Sequence, residues 1–314
     1  MKKILLAFLV LIILFTTLVF FFIPANIIIT ESRAIQTTSG GFDSCLHKLG
    51  KWKQWWPDQS ATMQADSSFS YKGFTFKLSA PYNDGGAIEI GSSTFLLETR
   101  MQSISNGRDS ITVNWGVSLP AGNNPFTRFS RYLDAGKLRK SMQVVFDSLC
   151  RFAGNNANIY GFGVERTTFT EVMLLASRFK SVHYPSTELL YNNITQLRQY
   201  ASSQGAIEKY YPMMNTRQVD STNWETMVAI SIDKNIPVSG EFFIKQMIPM
   251  KDRFLATDVT GGWTTIEKAH AAVEKYMADH SLSAPAIPFE ILITDRSKEA
   301  DSSKWKTRIF YPSM

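Results

Sequence analysis

The chain has 314 residues, of which 44% are hydrophobic and 19% charged. This composition is typical of folded proteins and excludes a disordered, collagen-like or coiled-coil chain. At about 100 to 200 residues per domain, the length favours two domains over one. The net charge of +6 would suit a nucleic-acid partner only if it were concentrated in one compact region. Residues 1–158 carry 16 basic and 10 acidic residues, and residues 159–314 carry 17 of each, so we predict no nucleic-acid partner.

The first thirty residues predict a membrane anchor. After Lys2 and Lys3, residues 4–23 are apolar apart from two threonines, which is enough helix to span the roughly 30 Å hydrocarbon core. A cleaved signal peptide is the alternative, but its apolar region is usually only about 7 to 15 residues long. We therefore predict that residues 1–26 are an uncleaved transmembrane signal anchor. Because the lysines keep the N-terminus cytoplasmic, a bacterial protein of this kind would be single-pass in the inner membrane with its body in the periplasm.

Residues 27–157 predict one domain of α+β class. The expected elements are a strand, a helix, a run of strands and a closing amphipathic helix, at residues 27–37, 43–56, 67–119 and 134–152. The Asn106-Gly107 pair in the run of strands is typical of a hairpin turn. This order predicts a helix-grip architecture, in which an antiparallel sheet curves around the long helix.

The stretch Lys51-Trp52-Lys53-Gln54-Trp55-Trp56-Pro57, together with the first strand and the closing helix, resembles the START/polyketide-cyclase-like (SRPBCC) superfamily. The resemblance implies an apolar cavity between the sheet and the long helix. The strand aromatics that could line it are Phe69, Phe74, Phe76, Phe95 and Trp115. The same aromatics would equally serve a packed sheet.

Two further features of this half leave alternatives open. Cys45 and Cys150 are the only cysteines, and they could form a disulfide in an oxidising compartment or remain buried free thiols. Basic residues around the start of the long helix could form a solvated face or contact anionic lipid head groups. These residues are Arg128, Arg131, Lys137, Arg139 and Lys140, interleaved with Phe126, Phe129 and Tyr132.

The second half contains an internal repeat. Gln199-Tyr200 and Tyr211-Pro212-Met213 correspond to Lys275-Tyr276 and Ile287-Pro288-Phe289 at an offset of 76 residues, and Trp224-Glu225-Thr226 corresponds to Trp305-Lys306-Thr307. Each copy predicts strand, helix, strand, strand, with the first strands at 172–179 and within 242–259. Thr264 and Glu267 predict a capping box for the second helix. Two βαββ copies side by side would form a pseudo-symmetric α+β domain with a groove between its halves.

The strand Pro288-Phe289-Glu290, the turn at Asp295 and the ending Trp305-Lys306-Thr307-Arg308-Ile309-Phe310-Tyr311-Pro312 are similar to the GyrI-like family, which also forms the effector-binding domain of bacterial transcription activators. The resemblance covers residues 158–314. It implies a small-molecule-binding module whose groove is lined by aromatic side chains and one acidic residue.

Glu290 is the candidate acidic residue. Alternation on residues 287–294 places it on a strand face with Pro288, Leu292 and Thr294. A buried carboxylate needs an arginine, a hydroxyl or a ligand as its partner, whereas a solvated strand face would need none. The repeat places Met214 at the equivalent position, so the groove would be charged on one side. The aromatic candidates for its walls are Tyr184, Tyr211, Trp224, Trp263 and Tyr276, which would suit apolar, aromatic or cationic ligands.

Enzyme signatures are mostly absent from the sequence. The four histidines lack metal-site spacing, and there is no phosphate loop or nucleophile elbow, so we predict no metal and no cofactor. We favour a membrane-anchored small-molecule-binding protein, acting as a sensor or carrier. The alternative is a GyrI-like hydrolase of electrophilic small molecules that uses Glu290, assisted by a tyrosine such as Tyr184 or Tyr211, because some members of that family have this activity.

Overall fold

The computed structural model describes residues 2–247 and 251–314 and divides the chain into two compact units, residues 1–159 and 160–314. Each unit combines helices with one antiparallel sheet, so the predicted α+β class is confirmed. The helices of the first unit are α1 (Lys2–Phe22), α2 (Ser39–His47), α3 (Leu49–Trp55), α4 (Pro125–Ala153) and α5 (Asn156–Tyr160), the last of which ends at the division. Its strands are β1 (Asn26–Ile35), β2 (Phe69–Tyr71), β3 (Phe74–Tyr82), β4 (Gly85–Gly91), β5 (Leu96–Ser105) and β6 (Ile111–Pro120).

Helix α1 is long and apolar enough to cross a membrane, a description that a signal sequence would also meet. Its C-terminal end is bound by Arg128 of α4. The Arg128 Nε donates to the carbonyl of Ile23 at 2.8 Å, and its guanidinium lies 4.7 Å from the Phe20 ring centre. Arg128 is buried, so this residue of the basic run belongs neither to a solvated face nor to a lipid-facing one.

The six-stranded sheet has the order β1-β6-β5-β4-β3-β2. The hairpin predicted at Asn106-Gly107 joins β5 to β6. Helix α4 begins nine residues earlier than the apolar spacing predicts. Asn124 explains the earlier start, because its Oδ1 accepts from the backbone N–H of Phe126 at 2.9 Å and Pro125 supplies the first helical position.

The interior of the first unit is filled by side chains. Trp52 stacks on Trp56 with ring centres 5.8 Å apart, and Trp115 reaches Phe146 at 5.8 Å. The cavity that remains among these rings measures about 10 Å³, no more than one water molecule needs. A separate cavity of about 240 Å³ opens between the edge strand β1, at Ile27 and Ile29, and Tyr132 and Arg139 of α4. The tryptophans of the Lys51–Pro57 stretch therefore leave no room for a ligand among themselves, and the apolar cavity that the resemblance implies stays a prediction. Cys45 and Cys150 are buried free thiols.

The second unit is built on an eight-stranded antiparallel sheet of order β11-β8-β10-β9-β13-β14-β12-β7. Its strands are β7 (Glu165–Thr167), β8 (Met173–Ser181), β9 (Met213–Gln218), β10 (Trp224–Ser231), β11 (Phe243–Gln246), β12 (Phe254–Thr260), β13 (Phe289–Leu292) and β14 (Lys306–Pro312). Its helices are α6 (Thr187–Ser203) and α7 (Trp263–Asp279), with a short 3-10 turn at Ser302–Lys304.

The predicted repeat is present in this sheet as β8-α6-β9-β10 and β12-α7-β13-β14. The sheet order is symmetric about the β9–β13 junction, where Glu290 lies directly opposite Met214. Each copy also has a leading strand that the sequence did not predict. Strand β7 pairs with β12 and β11 pairs with β8, so each leading strand joins the other half. Of the range 242–259, residues 248–250 lie outside the described residues.

Both helices cover the same face of this sheet, which we call the helix face. Helix α6 packs on Met214, Val228 and Leu292, and α7 packs on Leu255 and Ile309. The alternate residues of the same strands, including Met213, Phe254 and Phe289, form a separate cluster on the opposite face, which we call the open face. The two-residue alternation predicted for residues 287–294 thus separates the two faces.

Candidate functional site

A cavity of about 270 Å³ opens on the helix face at the β9–β13 junction. It combines aromatic surface from the start of β10 and the start of α7 with polar side chains from α7 and the central strands. The side chains that matter for its chemistry are Met214, Trp224, Trp263, Glu267, His270, Glu274, Glu290 and Tyr311. We call it the acidic cavity, because three of these residues are glutamates.

Glu290 lies at the inner end of the acidic cavity. It is 3% exposed and sits in β13 between Met214 of β9 and Ile309 of β14. Both neighbours are apolar, so the polar partners of this carboxylate come from outside the two adjacent strands. The pseudo-symmetric position holds Met214, which leaves a single carboxylate at the centre of the unit.

Arg296 is the counter-charge of Glu290. Its Nη2 lies 3.8 Å from Glu290 Oε2, and both side chains are almost completely buried. Nη2 also donates to Thr307 Oγ1 at 2.8 Å, and the guanidinium stacks over the Trp305 ring at 4.9 Å. Sequence reasoning required a partner for a buried carboxylate without identifying Arg296, because the conformation of the loop after β13 is not encoded in any periodicity.

His270 connects Glu290 to a second carboxylate. Its Nε2 lies 3.4 Å from Glu290 Oε1, and its Nδ1 lies 2.8 Å from the Tyr311 hydroxyl, which donates to Glu274 at 3.2 Å. The Tyr311 hydroxyl uses its one hydrogen for Glu274, so it can only accept a hydrogen bond from His270 Nδ1, and Glu290 can only accept one from Nε2 when it is ionised. Both contacts of the ring are therefore hydrogen bonds only if both ring nitrogens carry protons. Burial, followed by the charge of Glu274, raises the pKa of Tyr311, which keeps its hydroxyl a donor.

Three buried polar atoms around Glu290 have no hydrogen-bond partner within the described part of the chain. They are Glu290 Oε2, Arg296 Nε and the Tyr184 hydroxyl. Burial, followed by the charge of Glu290, raises the pKa of Tyr184, so this group remains a neutral hydroxyl. Buried polar atoms normally have partners. Tyr184 also interacts with Arg296, and of the three residues only Glu290 lines the acidic cavity, so Glu290 Oε2 is the unpaired atom that belongs to the lining.

Aromatic rings form one wall of the acidic cavity. The ring centres of Tyr184 and Trp263 are 3.9 Å apart, and Trp224 lies edge-on to Tyr184 at 5.7 Å. Trp263 is the first residue of α7, and the capping box predicted for Thr264 and Glu267 is wrong. The helix begins after Gly262 without a side-chain cap, which leaves Glu267 to line the cavity instead.

The turn before α7 depends on glycine. Gly261 has a φ of +143°, and a Cβ there would lie 2.8 Å from Thr265 Oγ1. Only glycine accepts this conformation without strain. The turn therefore fixes where α7 starts, and with it the position of Trp263 over the sheet.

Three residues predicted to line the groove are not in the lining of the acidic cavity. Tyr184 contacts the wall residues Trp224 and Trp263 without lining the cavity itself. Tyr211 precedes β9, is 48% exposed and contacts Tyr210. Tyr276 stacks on His280 with ring centres 3.8 Å apart. Tyr276 follows His270 by six residues, which is about 240° around the helix, outside the face that lines the cavity. Helical phase would have excluded Tyr276 from the sequence alone once His270 was placed.

No protein-family model and no curated protein matches the sequence. Among solved structures, the chain is similar to the C-terminal domain of EcmrR, with 13% identity over 49% of this chain and 98% of that one and a TM-score of 0.42. It is similar to a hydrolase from Listeria innocua, with 12% identity over 48% and 91% and a TM-score of 0.37. It is also similar to a START superfamily protein from Mycobacterium smegmatis, with 13% identity over 40% and 97% and a TM-score of 0.27.

Proposed function

We propose that the protein is a membrane-anchored receptor or carrier of small flat cations, which bind in the acidic cavity. In this proposal residues 1–26 are the anchor, 27–157 a START-like helix-grip domain and 158–314 a GyrI-like effector-binding domain. The observation that carries the proposal is the cavity itself, in which Glu267, Glu274 and Glu290 face the rings of Trp224 and Trp263.

Charge favours a cation as the ligand. The three glutamates of the lining are opposed by His270 in the lining and by Arg296 behind Glu290. Even with His270 protonated, the cavity carries more negative than positive groups. A low-dielectric surrounding strengthens the attraction for a positive ligand. Arg296 also keeps Glu290 from being a lone buried charge before a ligand arrives.

The aromatic wall favours a flat ligand. The indole rings of Trp224 and Trp263 offer stacking and cation–π contacts, worth about 0.5 to 2 kcal/mol each. A volume of about 270 Å³ fits one or two fused rings rather than a large amphiphile. The apolar neighbour Met214 can adjust to ligands of different outline.

The first unit has a different part in this proposal. Its interior is filled by Trp52, Trp56 and Trp115, so the START-like fold serves to connect the binding unit to the anchor rather than to hold a second ligand. The anchor would keep the N-terminus cytoplasmic and the body periplasmic. A C-terminal fusion to a reporter enzyme that is active only in the periplasm should be active, and an active cytoplasmic reporter would contradict this topology.

The binding test compares two fused-ring compounds of similar shape, the cation N-methylquinolinium and the uncharged 1-methylnaphthalene. Each is titrated into the full chain in nanodiscs, and binding is measured by calorimetry. We expect the cation to bind more tightly than its neutral isostere. Glu290→Gln should weaken binding of the cation about 10- to 100-fold, the loss of one charged contact, and leave the neutral isostere nearly unchanged. Glu267→Gln at the rim should have a smaller effect, and Glu299→Gln outside the cavity should have none.

Equal affinity for the two isosteres, or a Glu290→Gln variant that binds the cation normally, would contradict the proposal. The hydrolase alternative predicts something different for the same variant. The contact of Glu290 with the His270–Tyr311–Glu274 chain provides a route for protons. Turnover of an epoxide or activated ester that Glu290→Gln abolishes would favour that alternative, and an inert wild-type protein would exclude it for those substrates.

A further inference from the structure

The open face of the second unit carries a groove that shares Met214, Asn215 and Phe289 with the lining of the acidic cavity and otherwise has its own lining residues. It consists of two adjoining cavities of about 230 and 380 Å³, which share Asn215, Met227, Lys245 and Ile287 in their lining. Successive residues of a strand point to opposite faces of the sheet. Met213 and Phe289 therefore belong to the open face, whereas the next residues, Met214 and Glu290, belong to the helix face. The groove therefore lies mainly on the opposite face of the sheet from the acidic cavity, and the two approach each other at Met214, Asn215 and Phe289.

One end of the groove is apolar and adaptable. Its floor is formed by Met213 and Phe289 on the central strands and by Leu174 and Phe254 further out, all of them buried. Met227 and Met247 are partly buried and pack against this cluster. Thioether side chains fill irregular space and tolerate ligands of varied shape.

The other end of the groove is cationic. Arg178, Arg217 and Lys245 line it together with one carboxylate, Glu225. Arg217 forms an ion pair with Glu225 across β9 and β10. Arg178 lies over the Phe243 ring at 5.4 Å. Within residues 2–247 and 251–314, neither Arg178 nor Lys245 forms an ion pair with a carboxylate. The three cations share the single negative charge of Glu225, which Arg178 also stabilises at longer range, so this end of the groove keeps a net positive charge.

We propose that this groove binds an amphipathic carboxylate, with its alkyl chain on the methionine-lined floor and its head group between Arg178 and Lys245. The apolar end excludes a small inorganic anion as the main occupant, because such an ion gains nothing from that surface. The cationic end excludes the flat cations proposed for the helix face. One sheet thus separates two sites of opposite charge preference.

The test labels the full chain in zwitterionic nanodiscs with a photoreactive dodecanoic acid that carries a diazirine in its chain, and maps the adducts by mass spectrometry. We expect adducts in the peptides that contain Met213, Met227 or Met247. Excess dodecanoate should compete for them, whereas excess dodecyltrimethylammonium, of equal chain length and opposite charge, should not. This competition separates a bound carboxylate from acids that merely partition into the lipid around α1.

Substitutions at the cationic end and at the apolar end test the contribution of each end to binding. The pair Arg178→Gln and Lys245→Gln should reduce labelling of the groove about fivefold, and Met227→Glu should abolish it. The matched pair Lys209→Gln and Lys268→Gln, on exposed positions outside the groove, should leave labelling unchanged. Glu290→Gln should also leave it unchanged, so failure of this inference is distinguishable from failure of the cation site.

Adducts confined to α1, or equal competition by the two amphiphiles, would overturn the inference. So would an assembly in which a second copy covers the groove. That outcome would appear as a dimer in mass photometry that Met227→Glu converts to monomers, without labelling of the wild-type groove.

Discussion

Replacing Arg296 by methionine is expected to lower the free energy of unfolding of the second unit by about 3 to 5 kcal/mol, the usual cost of removing one partner from a buried ion pair. Glu290 would then be a buried carboxylate whose remaining ion-pair contact is with His270. The variant would also lose the hydrogen bond to Thr307 and the stacking on Trp305. Denaturation of the full chain, followed by hydrogen exchange of the β13 and β14 peptides, measures this loss within the second unit alone.

A double variant provides the control for that prediction. Arg296→Met combined with Glu290→Leu removes both charges, and should recover much of the stability that either single change loses, because no buried charge is left unpaired. A loss below about 1 kcal/mol in Arg296→Met would mean that water solvates the pair and that it contributes no more than a surface ion pair.

Replacing Trp115 by alanine is expected to cost about 3 to 5 kcal/mol in the first unit, as for other buried aromatic side chains. Trp115 is 1% exposed, contacts Phe76 and Phe146, and donates from Nε1 to Thr99 Oγ1 at 2.9 Å. Its removal opens an apolar space where the sheet faces α4. Added indole should therefore occupy that space and restore part of the stability, measured as a rise in the unfolding midpoint of the first unit.

Trp115→Phe is the matched variant. It should cost less than alanine and gain nothing from indole, since the phenyl ring fills most of the space. If Trp115→Ala were tolerated with a loss below about 1 kcal/mol, the first unit would not be packed as described, and a ligand in that unit would have to be reconsidered.

Local patterns predicted the parts of this fold that repeat. The recurring Tyr, Pro and Trp positions identified the two βαββ copies. The two-residue alternation separated Glu290 from Phe289, and the repeat identified Met214 as the counterpart of Glu290. Strands β7 and β11 were missed because three or four residues are too few for an alternation to be recognised. Arg296 was missed because it lies in a loop whose path depends on tertiary contacts with Tyr191 and Thr307.

The filled first unit marks another limit of sequence reasoning. The tryptophans of the Lys51–Pro57 stretch were visible from the start, but whether such rings line a cavity or occupy it depends on volumes rather than on periods. The distances between these rings and the aromatic side chains of the sheet show that the rings occupy the space. Trp56, for example, reaches Phe76 at 5.6 Å between ring centres.

The exchange of β7 and β11 between the two halves has an evolutionary consequence. Because each half completes its sheet with a strand from the other, two separate identical chains could assemble in the same way. Residues 214 and 290 would then be identical and would face each other as nearest cross-strand neighbours, so a glutamate there would meet its own copy about 5 Å away and be repelled. Joining both copies in one chain allows one position to become methionine while the other remains acidic. The single carboxylate near the pseudo-twofold axis is thus a property that gene duplication with fusion permits and a symmetric ancestor could not have had.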